Sequence, residues 1–569
     1  MSERNSLATA FAGLVLLVAA SPTLAFTTQN LSTDMTPHQV ADMTPRHVAE
    51  ATLRGMSLEQ KVGQVFMLGF DGTRLEPGNR ALIHDLHLGG VTLFARNVES
   101  ARQLASLDAD LQTVADPVPL FVSIDQEGGL VVRVTDGATI FPGNMALGAA
   151  GDVDLARRVA EAEASELLAM GVNMNLAPVV DVNTNPLNPV IGVRAFGSEP
   201  TTVSQLGAAT VAGFQSRGVS AVAKHFPGHG DTAVDSHLDL PVVPHPLERL
   251  ASVELAPFRA AIHAGVDGIM AAHLYLPAMD AELNRPATLS PAVLTGLLRE
   301  RLGYTGLILT DALDMGAIKR DRGTAEAAVE AFEAGADLLL IAGITADDRA
   351  HLADGPPALL AAVRSGRVST ERLDASVRRV LEAKARRGIL DHQAAMGEPA
   401  SADVLNSAEH RALALEVARR AITLHRDAAQ MLPLRPDQRA LVVAPDAPTR
   451  SRVQDDGSRF GSSLLDAIRG FAPAATGAAP AQAVQRARSA DVVVLATYDL
   501  AQDPAQAELA RQLVATGVPV VAVALRGPYD AAAAPFLPTV LAAYGDRPVH
   551  LQAAAEALFG QLTPTGRAP

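Results

Sequence analysis

From residue 57 onward the chain alternates short runs that are apolar on both faces with longer helix-like stretches rich in Ala, Leu and Glu. The strand-like runs are QVFMLGF (64–70), GVTLFA (90–95), LFVSID (120–125), VNMNLAP (172–178), SAVAKHF (220–226), VDGIMAAH (266–273), LILTD (307–311) and DLLLIAG (337–343). A strand without polar alternation is buried on both sides, the condition of a parallel sheet covered by helices. Eight such units in about 300 residues predict a (β/α)8 barrel of the TIM type rather than an open sheet. The phrases HAGVDGIM and EAGADLLL resemble each other because each ends a helix at Gly and starts the next strand. That is repeat geometry and carries no ligand chemistry.

A second pattern starts near residue 398. RALVVAPD (439–446), DVVVLATYD (491–499), VPVVAVALRG (518–527) and TVLAAYG (539–545) are again buried-type strands among Ala-rich helices. The expected organisation is therefore a barrel domain over 57–397 and a smaller α/β sandwich domain over 398–569. FAPAATGAAPAQA (471–483) reads as a loop and a helix start. Upstream, DMTPHQVA and DMTPRHVA (34–41 and 42–49) form a short duplication, each copy with Pro just after Thr as at a helix start. Residues 26–56 read as a linker. Arg4, an apolar run over 7–20 and the small residues Thr23 and Ala25 predict a signal peptide over 1–25, and hence an exported protein, periplasmic or extracellular. A retained N-terminal anchor is the lesser alternative, and no later segment is apolar and long enough to span a bilayer.

Composition narrows the functions. A formal charge of −15 with a pI near 5.5 argues against nucleic-acid or anionic-membrane partners, which require clustered Lys and Arg. With no cysteine there is no thiolate nucleophile, disulfide or thiolate zinc site. The absence of Trp disfavours a long cleft lined by stacking platforms and favours short substrates. Oligomeric state is not readable.

Polar residues gather where the predicted barrel strands end. Asp125, Asn175, Lys224 with His225, His273 and Asp311 all fall at or near C-terminal strand ends, the rim on which barrel enzymes assemble their sites. The densest stretch is KHFPGHGDTAVDSHLDL (224–240). Pro227 and Gly228 separate His225 from His229, so no helix aligns the two as in a metalloprotease, though a loop site from His225, His229, Asp231 and His237 stays open. Lys224 precedes the glycines, contrary to a phosphate-binding loop. A third use is proton transfer: Asp235, two residues before His237, can fix one ring nitrogen while the other faces a substrate. Asp311 can act as a carboxylate nucleophile, or else cap the following helix, and Asp314 is its rival. A nucleophilic carboxylate with a separate acid/base is the requirement for retaining glycoside cleavage. Pro227, Gly228 and Gly230 break regular structure and are expected to let the loop move.

Four motifs in order, IDQEGGLVVR (124–133), NLAPVVDVNTNPLNPVIGVRAFG (175–197), KHFPGHGDTAVDSH (224–237) and LTDALDMGAI (309–318), resemble glycoside hydrolase family 3, and within it the bacterial β-N-acetylglucosaminidases. The similarity runs from about Ser57 to the end. It implies a covalent glycosyl-enzyme on Asp311, with His237 paired to Asp235 as general acid/base on a flexible loop. It further implies that Asp125, Arg133, Arg194, Lys224 and His225 bind the sugar of a GlcNAc-containing glycan, with no metal or organic cofactor. Leu130 departs from the pattern, which has Arg after the two glycines. β-Glucosidases and β-xylosidases of the family take their acid from a Glu in the second domain; after residue 420 this chain has only Glu508 and Glu556, both in Ala-rich helix-like contexts. A histidine acid/base repels anions less than a carboxylate does, so a phosphorylase is a further alternative. A non-catalytic carbohydrate-binding protein is another, against which the intact Asp311, Asp235 and His237 stand.

Overall fold

The computed structural model describes residues 44–319, 322–391, 403–449, 451 and 463–569. The predicted signal peptide and the first copy of the duplication lie outside the described residues. From Thr44 on, the second copy, assigned to the linker, instead leads into a packed helix, Pro45–Arg54, with the Thr44 side chain accepting from the His47 amide. Its buried Ala49 and Leu53 join the barrel core, which is why it does not behave as a linker.

The barrel is built from β1 (Phe66–Leu68), β2 (Gly90–Leu93), β3 (Phe121–Ile124), β4 (Met174–Asn175), β5 (Ser220–Phe226), β6 (Gly268–Ala271), β7 (Leu307–Thr310) and β8 (Leu339–Ile341). They pair in parallel and in chain order, with β8 beside β1. Between β7 and β8 the ring closes through a short bridge, Thr310 donating to the Leu338 carbonyl and Leu338 to that of Ile308. Met67, Phe121, Met174, Val222, Met270, Leu307 and Leu309 fill the interior, each buried side chain contributing about 1.5–3 kcal/mol. The N-terminal mouth is sealed by helix Thr370–Arg386, whose buried Lys384 donates to the Gln64 side chain just before β1. The other mouth is left to the loops.

The second domain carries β9 (Thr423–Asp427), β10 (Ala440–Val443), β11 (Thr476–Ala478), β12 (Val492–Thr497), β13 (Val520–Ala524) and β14 (Thr539–Ala542) in the order β11-β10-β12-β13-β14-β9. Only β9 is antiparallel. Val492, Val494, Val521 and Val523 point to one helical layer, and Val493, Leu495, Val520 and Ala522 to the other, so the α/β sandwich expected from the apolar runs is what forms. The Ala/Pro-rich stretch 471–483 contains β11 as well as a helix start, a strand that the sequence reading missed. Chain order reverses at β10, so the carboxyl ends of β10 and β12 flank the switch point of a doubly wound sheet. That edge faces the open barrel mouth: Asn183 donates to the Tyr529 hydroxyl at 2.8 Å, and Arg547 Nε to the Gly129 carbonyl at 3.2 Å.

Candidate active site

A pocket of about 220 Å³ opens at the C-terminal mouth of the barrel. Asp125, Arg133, Arg194, Lys224, His225, His237 and Asp311 all line it; Asp235 stands behind His237. All eight residues singled out in the sequence thus converge. Phe94, Met315, Leu340, Ala342 and Ile344 supply an apolar part of the lining.

One wall is a buried ion network. Lys224 Nζ lies 2.6 Å from Asp125 and 2.7 Å from Glu127, and Glu127 also takes a bidentate pair of hydrogen bonds from Arg194 at 2.8 and 2.9 Å. Arg133 approaches the other Asp125 oxygen at 3.5 Å. Burial alone would raise both carboxyls, but the neighbouring cations outweigh it and hold Asp125 and Glu127 below the usual range. A register irregularity between Lys224 and Phe226 explains how consecutive residues share this pocket, since a bulge re-aims side chains that would otherwise alternate.

His225 is oriented from behind. Its Nδ1 lies 2.7 Å from buried Asp181, which also accepts from the backbone amides of His225 and His229. Glu127 and Asp181 were not predicted. His229 serves the scaffold: its ring nitrogens meet Thr232 and Ser236 hydroxyls at 2.8 and 3.1 Å, and burial lowers its pKa to about 4, so it is neutral. Asp231 turns away to His245 at 2.6 Å. The four residues of the alternative loop metal site are therefore each committed to different partners.

The far end of the same loop carries the proton-transfer pair. Asp235 Oδ1 lies 2.7 Å from His237 Nδ1 and accepts the His237 amide at 2.9 Å. Burial would raise the Asp235 pKa, yet the hydrogen bond and charge of His237 bring it down to about 2. The carboxylate stays ionised and His237 Nε2 is left for the pocket. A Cβ on Gly230 would fall 1.9 Å from the Val182 carbonyl oxygen, so its lack of a side chain serves close packing, and residues 225–230 are buried. Gly316 plays the same part opposite: a Cβ there would lie 2.7 Å from the His237 carbonyl oxygen. The loop is seated directly on the segment that follows Asp311.

Asp311 follows β7, accepts the Ala312 amide at 2.8 Å, and is otherwise turned to the pocket. Burial would raise its pKa, but His273, His225 and His237 together lower it, keeping it ionised. It caps no helix, since the next begins at Gly316. Asp314 is buried and accepts the amides of Ala342, Gly343 and Ile344, which removes it as a rival. His273 and Asn175 also hold backbone: His273 bridges Thr288 and the Ala312 carbonyl, and Asn175 exchanges hydrogen bonds with the Gln126 backbone.

A pocket at the C-terminal mouth of the barrel, lined by paired acidic and basic groups, is where a barrel enzyme carries its active site. Residues 57–383 match the glycosyl hydrolase family 3 N terminal domain and residues 422–569 its C-terminal domain. The chain belongs to glycosyl hydrolase family 3. It is 39% identical over 396 residues to the beta-hexosaminidase A of Pseudoalteromonas piscicida, covering 66% of this chain and 65% of that relative. It is 31% identical to a beta-N-acetylglucosaminidase/beta-glucosidase of Cellulomonas fimi over 91% of this chain and 94% of the other. Among solved structures, the family 3 beta-N-acetylglucosaminidase of Paenibacillus sp. str. FPU-7 superposes with a TM-score of 0.85 at 42% identity, covering 90% of this chain and 98% of that one.

Proposed function

We propose that the protein is an exo-acting, retaining β-N-acetylglucosaminidase that releases terminal GlcNAc from short glycans through a glycosyl-Asp311 intermediate. The observation that carries this reading is that His237, backed by Asp235 at 2.7 Å, lines a single pocket with Asp311. The pocket is smaller than the roughly 300–1,000 Å³ of drug-sized sites and so suits one sugar rather than a stretch of chain. Asp125 accepts from ring hydroxyls, Lys224 and the arginines donate, and the apolar lining suits the acetamide methyl group. Asp311 attacks the anomeric carbon while His237 protonates the departing oxygen; His237 then takes a proton from water, which releases the sugar with its configuration retained. Glu508 is exposed and engaged with Arg511 and Gln512, and Glu556 is paired with Arg419, so neither offers a second-domain acid. The cations of the pocket, Arg96, Arg133, Arg194 and Lys224, all have carboxylate partners, which favours water over phosphate as acceptor.

The test is an aryl glycoside assay with the purified chain. Turnover of the N-acetyl-β-glucosaminide is expected, at least about tenfold faster than of the β-glucoside, with a rate unchanged by phosphate. No turnover of either defeats the enzyme reading, and phosphate-dependent release of a sugar 1-phosphate makes it a phosphorylase.

The N-terminal apolar run supports export, with cell-wall glycan fragments or chitooligosaccharides as the reachable substrates and cell-wall turnover as the setting. Fractionation of cells producing the full chain is expected to place the activity outside the cytoplasm. Activity confined to the cytoplasmic fraction overturns this.

A further inference from the structure

The second domain reaches the proton-transfer pair. Ser451 Oγ donates to Asp235 Oδ2 at 2.9 Å, from 216 positions further along the chain. Both residues are 5% exposed, so the bond is shielded from competing water. Asp235 is thereby held at both oxygens: Oδ1 by the imidazole and amide of His237, Oδ2 by the hydroxyl. Ser451 follows β10, at the switch point of the second sheet, and Pro448, three residues before it, is tethered. Arg526, following β13, donates to the Pro448 carbonyl at 2.8 Å and is itself held by Asp499 at 3.2 Å. The contacts from Tyr529 to Asn183 and from Arg547 to Gly129 fix the same edge against the barrel.

We propose that Ser451 is a positioning residue for the acid/base: the second domain completes proton transfer by locking the Asp235 carboxylate in the orientation that receives His237 Nδ1–H. A carboxylate held only from its own loop could rotate about χ2 and release the imidazole, whereas a second, buried donor from another domain opposes that rotation. The second domain thus acts on the reaction through one hydroxyl. This inference rests on the reading of His237 as acid/base.

Leaving-group dependence separates the two. Ser451→Ala is expected to lower kcat/KM about tenfold for a disaccharide or alkyl N-acetyl-β-glucosaminide, but less than about threefold for the dinitrophenyl glycoside. The Asp235 carboxyl should titrate higher, since it loses a donor that stabilises its charged form; Asp311 and His273 are the other titratable groups that face His237. Ser451→Thr, which keeps the hydroxyl, should recover most of the loss. Equal loss on both substrates, or none, overturns the proposal. Should the alanine variant fail to fold, Ser451→Cys, similar in size but a far weaker donor, makes the same comparison. His237→Ala is the control: if it too shows no leaving-group dependence, the acid/base reading fails, and not merely the role of Ser451.

Discussion

Asp311→Ala is expected to reduce turnover of every N-acetyl-β-glucosaminide by roughly 10⁴-fold or more, the scale on which an enzyme loses its nucleophile. The reason is positional. Asp311 is the carboxylate that ends a barrel strand, lines the pocket and, among the described residues, is bonded only to its neighbour's amide, while three histidines keep it charged. Removing it leaves a space on the α face of the bound sugar. Azide entering that space forms the carbon–nitrogen bond as the bond to a dinitrophenolate leaving group breaks, giving an α-glycosyl azide from a β-glycoside. The same residue should be labelled by a 2-fluoro sugar that traps the covalent intermediate, read by peptide mapping. A label on another residue, or a β-azide from this variant, defeats the assignment.

Much of the barrel was legible because its strands are buried on both faces, a pattern that needs no partner to be recognised. Their ends were less so. The run 172–178 contracts to Met174–Asn175, where Pro178 brings no N–H to a ladder. In the second domain β9 and β11 were missed for the opposite reason: they sit at the two edges of the sheet, one carrying His425, Arg426 and Asp427, the other only three residues long. Edge strands are permitted short and polar sequences that resemble loops.

The site divides along similar lines. Position at a strand end brought out Asp125, Lys224, His225 and Asp311, but the same criterion brought out Asn175 and His273, whose side chains hold backbone. What distinguishes the two groups is the surface opposite each side chain, which depends on loops from distant sequence. Glu127 and Asp181 escaped because each acts through a partner. A signal for one of them was present nonetheless: Arg133, Arg194 and Lys224 together in a buried pocket cannot be balanced by Asp125 alone. A second carboxylate was required, and Glu127, two residues from Asp125, was the nearest available. Ser451 left no such trace, since a lone serine in a polar stretch is indistinguishable from its neighbours.

His237→Ala should separate the two halves of the reaction. In the first half the acid matters in proportion to the basicity of the departing oxygen, so kcat/KM falls by roughly 10²–10⁴ for a disaccharide and little for a dinitrophenyl glycoside. In the second half the base activates water for every substrate alike, so kcat falls even where kcat/KM does not, and the covalent intermediate accumulates as a burst of phenolate. Azide, needing no base, then attacks the glycosyl-enzyme from the side His237 occupied and yields a β-glycosyl azide, opposite to the product from the Asp311 variant. Asp235→Asn should share much of this loss although the ring remains, because an amide can donate to Nδ1 and leave the proton on Nε2, the tautomer unable to accept one from water. The present geometry, with Asp235 ionised and 2.7 Å from Nδ1, excludes that tautomer. Two variants giving azides of opposite configuration assign the two faces of the sugar to Asp311 and His237; azides of the same configuration from both would rule that assignment out.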